Sequence, residues 1–113
     1  MELLFAQVAV GAFADAVEWY GRLFGRAADV VVNDHEVMWR VADTGWLYVI
    51  EDDSRAGNGL VTISVSDLDE VVTDLEARGI SSGRIETIGD AGRKAIVTDP
   101  DGNSIALIQI AAT

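Results

Sequence analysis

Apolar positions along the chain alternate and then change to helical spacing. Residues 3–10 carry an apolar side chain at every second position, which is typical of a strand with one buried face. Residues 13–24 carry apolar side chains at helical spacing, and Gly25 is a suitable helix end. Three more strands follow, so the first half is predicted to have the order β-α-β-β-β, with these strands at 28–32, 36–42 and 46–51.

The second half repeats this pattern at a shift of 55 residues, as in the step from Val8 to Ile63. A strand over 60–65 leads into a helix that Asp67 caps, with Glu70 as the capping-box partner. Because the shift is almost half the chain, two copies of one unit are expected rather than a solenoid. The closing strands are predicted near 84–88, 93–98 and 104–110, with an Asp-Pro-Asp-Gly-Asn hairpin turn at 99–103.

The length and composition favour one folded domain. The chain has 113 residues, half of them hydrophobic, which is enough for an ordinary core. We expect a single domain over 1–113, with module 1 at about 1–52, a glycine-rich linker at 52–59 and module 2 at about 60–113. The absence of cysteine excludes disulfides, thiolate metal sites and a cysteine nucleophile.

The charge narrows the range of partners. The formal net charge is −11, and no cluster of Lys and Arg offsets it. Nucleic acid and anionic membrane surfaces are therefore not expected as partners, because both require clustered positive charge. The negative charge either serves solubility or attracts a cationic small molecule. No targeting segment or membrane-spanning run is apparent, so a cytoplasmic protein is expected.

Several motifs together resemble the glyoxalase/bleomycin-resistance/dioxygenase superfamily, also called vicinal oxygen chelate proteins. They are a first strand with Val8 and Val10, the helix segments 16–20 and 23–25, the segment 65–69, and Asp-Pro-Asp-Gly-Asn at 99–103. The resemblance implies an α+β fold of two βαβββ modules that form curved mixed sheets with helices on the outer face. It also implies a homodimer, and a concave sheet face that holds the functional site.

Enzymes of this superfamily hold a divalent metal with His, Glu or Gln on the concave face. The matching positions here are occupied by Phe5, Tyr48, Leu60 and Ala106. Three of these side chains have no donor atom, and a neutral tyrosine is a poor metal ligand. We therefore expect no metal, no cofactor and no catalytic residue.

The aromatic residues provide the candidate site. Alternation places Trp46, Tyr48 and Ile50 on the strand face that carries the ligands in the superfamily, and Phe5 joins them. Of Trp39 and Arg40, only one can face the same way, and the sequence does not fix which. The complete set of candidate ligand-binding residues is Phe5, Gln7, Trp39, Arg40, Trp46, Tyr48, Leu60, Thr62 and Ala106.

Three hypotheses remain open, and the missing metal ligands and the aromatic residues favour the first. The first is a metal-free protein that sequesters a planar organic compound in an aromatic-lined cavity, with a cationic compound gaining extra attraction. The second is an enzyme of the same fold, such as a lyase, isomerase or dioxygenase. The third is a structural dimer without a small-molecule ligand, in which the aromatic residues form a core or an interface.

Overall fold

The structure is a computed structural model that describes residues 1–111. The predicted β-α-β-β-β order occurs twice, so the α+β, two-module fold is confirmed. Among the described residues, no helix is both long and apolar enough to cross a membrane. The elements are β1 (Leu4–Val10), α1 (Phe13–Phe24), β2 (Val30–Asn33), β3 (Glu36–Arg40), β4 (Gly45–Glu51), β5 (Leu60–Ser64), α2 (Leu68–Ala77), β6 (Glu86–Thr87), β7 (Gly92–Thr98) and β8 (Ser104–Ile110).

Each module forms one four-stranded mixed sheet. Sheet A has the order β1-β4-β3-β2, and sheet B has the equivalent order β5-β8-β7-β6. The first strand of each module runs parallel to the last strand, and the remaining pairs are antiparallel. Phe5 pairs with Trp46 in sheet A, and Leu60 pairs with Ser104 at the corresponding place in sheet B. The internal repeat in the sequence is therefore also a repeat of strand order and direction, although the paired residues lie 41 positions apart in sheet A (5 and 46) and 44 apart in sheet B (60 and 104).

The helix ends follow from local sequence. Helix α1 ends at Gly25, whose φ of 69° is the left-handed conformation that glycine adopts without steric cost. Helix α2 begins at Asp67, whose Oδ1 accepts a hydrogen bond of 3.1 Å from the Glu70 backbone N–H. Both assignments agree with the sequence-based prediction.

One continuous hydrophobic core joins the helix-covered faces of both sheets. Alternate residues of each central strand point into this core, and burial of each large side chain stabilises the fold by about 1.5–3 kcal/mol. The largest fully buried side chains come from both modules; they are Trp39, Tyr20, Leu47, Leu68, Leu75 and Ile105.

The hairpin turn at 99–103 connects the two modules. The fully buried Asn103 donates from Nδ2 to the Ala9 carbonyl at 2.9 Å, and its Oδ1 accepts from the Gly59 N–H at 2.6 Å. The Tyr20 hydroxyl of helix α1 donates to Asp99 Oδ2 at 2.8 Å. Because these groups lie far apart in sequence, the turn fixes module 1 against module 2 as well as reversing the chain.

A second connection lies at the carboxyl end of helix α1. Arg78, at the end of α2, donates from Nε to the Arg22 carbonyl at 2.5 Å and from Nη2 to the Leu23 carbonyl at 3.1 Å. The last carbonyls of a helix have no partner within the helix. Arg78 therefore supplies hydrogen bonds that α1 lacks and links the two helices.

Two strands differ most from their predicted bounds. The predicted strand 28–32 starts at Val30, since the Asp29 carboxylate accepts hydrogen bonds from the Arg26 side chain and the Arg40 N–H. The predicted strand 84–88 is reduced to the pair Glu86–Thr87. A tight turn follows it, in which the Ile88 N–H donates to the Gly92 carbonyl at 2.7 Å.

Candidate functional site

The candidate site lies on the face of sheet A that helix α1 does not cover, which we call open face A. Strand alternation and register define this face. Val8, Leu47 and Val37 are buried on the opposite side, while their strand neighbours are less buried. Open face A consists of Phe5, Gln7 and Ala9 of β1, Trp46, Tyr48 and Ile50 of β4, and Glu36, Met38 and Arg40 of β3.

Three aromatic rings lie together on open face A. The ring of Phe5 stacks on that of Trp46, with centroids 6.2 Å apart and planes inclined by 27°. It meets Tyr48 edge-on, with centroids 6.5 Å apart and an interplanar angle of 76°. Phe5 remains 43% exposed although it is aromatic. The strand register thus produces the aromatic patch that the sequence pattern predicts, and leaves it accessible.

Trp39 does not belong to this patch, and its inclusion in the candidate set is corrected. Its side chain is fully buried under helix α1, with ring centroids 6.1 Å from Tyr20 and 5.7 Å from Phe24. Its indole N–H donates to the Arg26 carbonyl at 3.1 Å. Because adjacent strand residues face opposite sides, Arg40 is the one that lies on open face A, beside Trp46.

Glu36 is a polar residue of the face that the sequence analysis missed. The Tyr48 hydroxyl donates a hydrogen bond to Glu36 Oε2. This bond, with a smaller contribution from burial, raises the pKa of Tyr48 above its usual value. The sequence does contain a signal for this residue, because strand alternation places Glu36 and Met38 on one face of β3 and Val37 and Trp39 on the other. That signal identifies the face only once the phase of β3 is known.

The remaining candidates occupy the equivalent face of sheet B, which we call open face B. Leu60, 85% exposed, pairs with Ser104, and Thr62 pairs with Ala106. The structure therefore divides the candidate set between two faces. Beyond these residues, open face B carries Ser64, Ser104 and Ile108, together with Lys94, Ile96 and Thr98 of β7.

The candidate ligand-binding residues do not all line one enclosed cavity. A cavity of about 250 Å³ brings Gln7 together with Arg55 and Asn58 of the linker. A second, of about 240 Å³, contains both Trp46 and Thr62. Arg40 borders a third, of about 210 Å³. Within residues 1–111, the aromatic patch is consequently a surface with adjoining cavities rather than the single aromatic-lined cavity that the sequence predicts.

The side chains at the superfamily's ligand positions do not fit a divalent metal. Phe5, Leu60 and Ala106 offer only carbon, and the Tyr48 hydroxyl is engaged with Glu36 and is held in its protonated form. Across the part of the chain that the structure describes, no three His, Cys, Asp or Glu side chains are grouped so that they could hold a metal ion. Hard divalent ions require such oxygen or nitrogen donors.

Comparison with solved structures supports a common fold. A glyoxalase/bleomycin resistance protein from Catenulispora acidiphila is 34% identical, with a TM-score of 0.91 over 97% of this chain and 99% of that chain. An antibiotic-binding protein from a Streptomyces species, TnmS3, is 21% identical, with a TM-score of 0.79 over 98% of this chain and 97% of that one. A bleomycin resistance determinant encoded on the transposon Tn5 is 20% identical, with a TM-score of 0.81 over 99% of this chain and 100% of its own.

The sequence comparisons define the family. No curated protein matches the chain significantly. The family description "Glyoxalase/Bleomycin resistance protein/Dioxygenase superfamily" matches residues 3–107, which is nearly the whole chain. The chain belongs to the glyoxalase/bleomycin resistance protein/dioxygenase superfamily.

Proposed function

We propose that this protein binds a planar organic molecule on open face A and sequesters it without a metal and without a chemical reaction. The observation that carries the proposal is the aromatic patch of Phe5, Trp46 and Tyr48, which is assembled by strand register yet leaves Phe5 43% exposed. Rings that serve only to pack a hydrophobic core are buried, whereas Phe5 keeps a ring surface that a ligand can reach. A ring placed on the patch would gain about 2.5 kcal/mol for each 100 Å² of apolar surface removed from water.

Two structural relatives support this function. The Streptomyces relative is described as antibiotic-binding, and the Tn5 relative is described as a bleomycin resistance determinant. At about one-fifth identity these proteins share the fold with this chain, and their ligands are not transferred to it. What supports the transfer of a binding role is the combination of that fold with an exposed aromatic face and an unsuitable set of metal donors.

We also propose a cytoplasmic homodimer. Phe5 is 43% exposed and Leu60 is 85% exposed, and they occupy corresponding positions on open faces A and B. A second copy of the chain that covers these side chains would also close the open faces into a cavity. The same exposure favours a second candidate function, a structural dimer in which the partner fills the open faces and no small molecule binds.

The enzyme alternative depends on a metal or on an acid–base pair, and the side chains at the superfamily's metal-ligand positions do not supply the donors that a metal needs. It remains testable by metal addition. If a divalent ion stabilises the protein strongly at micromolar concentration, the proposal of metal-free binding is wrong and an enzyme becomes the better hypothesis.

A thermal-shift titration tests the proposed function. The neutral planar probe anthracene-methanol should raise the melting temperature, with and without a chelator. Phe5→Ala should abolish this shift, whereas Leu60→Ala, the equivalent change on open face B, should preserve it. Both positions are exposed, so both variants should fold. Equal responses of the two variants, or no response of the wild type, would refute ligand binding on open face A.

Sedimentation of the same proteins separates the second candidate from the first. A ligand-free structural dimer requires self-association that anthracene-methanol does not influence. If the wild type is dimeric and the probe has no effect on its melting temperature, the structural role is the better account.

A further inference from the structure

Open face A carries an acidic group next to its rings, and open face B carries a basic group at the equivalent position. Glu36 pairs with Ile50, which pairs with Ala9. In sheet B, Lys94 pairs with Ile108, which pairs with Ser64, the residue 55 positions after Ala9. Glu36 and Lys94 therefore occupy corresponding sites of the internal repeat.

The Glu36 carboxylate has an acceptor site for a ligand. Among residues 1–111, it forms no ion pair with a Lys, Arg or His side chain, whereas Lys94 lies 3.9 Å from Glu86 Oε2. One hydrogen bond, from the Tyr48 hydroxyl, holds the carboxylate. A carboxylate can accept several hydrogen bonds, so acceptor capacity remains on its two oxygens.

The position of the carboxylate relative to the rings suits a cation. Tyr48 contacts both Glu36 and Phe5, so a ligand over the rings has its edge beside the carboxylate. Arg40, the basic residue of open face A, lies two register rows, about 13 Å along β3, from Glu36, but only one row from Tyr48, beside Trp46. Its guanidinium donates to the Asp43 carbonyl at 2.8 Å. A cation near Tyr48 therefore meets an aromatic ring and a carboxylate, both of which attract it, while the neighbouring Arg40 and the linker residue Arg55 are each paired with an aspartate, Asp43 and Asp52.

We propose that Glu36, positioned by Tyr48, selects a planar ligand that carries a protonated amine or another organic cation. This inference rests on the proposed function, because it names the ligand class of the same face. It also assigns the cation to open face A rather than open face B, since Lys94 would repel the same group. Tyr48 is a positioning residue for the carboxylate as well as a ring that contacts the ligand.

Three anthracenes that differ in charge test the proposal. Their binding to the wild type is measured by fluorescence titration at neutral pH and low salt, using cationic anthracene-methylamine, neutral anthracene-methanol and anionic anthracene-carboxylate. The cation should bind about fivefold to tenfold more tightly than the neutral probe, as expected for one partly exposed charged hydrogen bond, and the anion should bind most weakly. Added salt should reduce the difference between the probes.

Variants then locate the selectivity. Glu36→Gln keeps the size of the side chain but removes its charge. It should lower the affinity for anthracene-methylamine to the level of anthracene-methanol, and the affinity for anthracene-methanol should not change. Tyr48→Phe should reduce the preference for the cation partially. Lys94→Gln, the matched change on open face B, should leave the order of the three probes unchanged. Thermal unfolding of each variant confirms that its fold is intact.

The possible failures are distinguishable. If all three probes bind equally, or if Glu36→Gln keeps the preference for the cation, the carboxylate is not the anchor, but the aromatic face remains a binding site. If Lys94→Gln rather than Glu36→Gln changes the order, the ligand lies on open face B and the proposal is wrong. If none of the probes binds, both the proposed function and this inference are refuted.

Discussion

Removal of one buried hydroxyl should measure how strongly the two modules hold together. Tyr20 lies on helix α1 of module 1, and its hydroxyl donates to Asp99 Oδ2 of module 2 at 2.8 Å. Tyr20 is fully buried and Asp99 is nearly so. Asp99 Oδ2 also accepts from Asn103 Nδ2 at 2.8 Å. Tyr20→Phe therefore deletes one of the two hydrogen bonds to this oxygen without opening a cavity larger than the hydroxyl.

The expected loss follows from the charge of the acceptor. Hydrogen bonds to charged groups contribute about 1.5–3 kcal/mol, and the carboxylate oxygen keeps one partner, so we expect a loss of about 2 kcal/mol in the free energy of unfolding. For a domain of this size that loss corresponds to a decrease in Tm of roughly 8–10 °C.

Tyr48→Phe is the matched control for Tyr20→Phe. The Tyr48 hydroxyl also donates to a carboxylate, that of Glu36, but on an open face of the sheet. Water can replace the lost hydrogen bond there, so a much smaller decrease in Tm is expected. Chemical denaturation at neutral pH provides both free energies. Equal losses in the two variants, or no loss in Tyr20→Phe, would refute the view that the buried bond between modules stabilises the fold.

The same tyrosine predicts a loss of stability at alkaline pH. Burial, followed by the neighbouring Asp99 carboxylate, raises the pKa of Tyr20 above its ordinary value. Below pH of about 10 the residue is protonated in both states; above it, only the unfolded state loses the proton. Stability should therefore fall as pH rises, by up to about 1.4 kcal/mol per pH unit from this residue. Tyr20→Phe should have a shallower alkaline decrease, and an unchanged slope would contradict the assignment.

Two further substitutions test the connections between modules. Arg78→Lys should lower the free energy of unfolding by about 1–2 kcal/mol, because an ammonium group cannot form both hydrogen bonds to the end of helix α1. The control is Arg55→Lys in the exposed linker, which should have no measurable effect on the free energy of unfolding. Gly57→Ala should cost about 1–3 kcal/mol, since its φ is +88° and a Cβ atom would lie 2.5 Å from the Asp101 carbonyl oxygen. Gly89 has φ of +50°, and a Cβ atom there would meet no atom of residues 1–111 within 4 Å apart from its chain neighbours, so Gly89→Ala should cost less; the reverse order would show that contact with the turn is unimportant.

Local patterns in the sequence were sufficient for the element order and for most of open face A. The repeat at a shift of 55 residues appears in the structure as the same strand order in both sheets, because equivalent patterns of buried positions place the equivalent strands against the core. Period-two alternation placed Trp46 and Tyr48 on one face correctly. The Asp67 and Gly25 helix ends followed from short-range capping chemistry, which needs no tertiary information.

Features that depend on contacts between distant residues were not predictable in this way. The phase of β3 decides whether Trp39 or Arg40 faces the core, and only pairing with β4 fixes that phase. The bond between Tyr48 and Glu36 requires the same information. The turn at 99–103 was predicted as a hairpin from its own residues. Its contacts with Ala9 and Tyr20 span most of the chain and leave no local pattern.

The tryptophan indole signals in a ¹⁵N–¹H correlation spectrum provide the most direct test of ligand binding on open face A. Trp19 and Trp39 are buried in the core, whereas Trp46 lies beside Phe5. Titration with anthracene-methylamine should shift the Trp46 indole signal, which Trp46→Phe identifies, in a saturable manner while the other two signals stay nearly constant. A titration that leaves the Trp46 signal unmoved, or moves all three equally, would contradict the account.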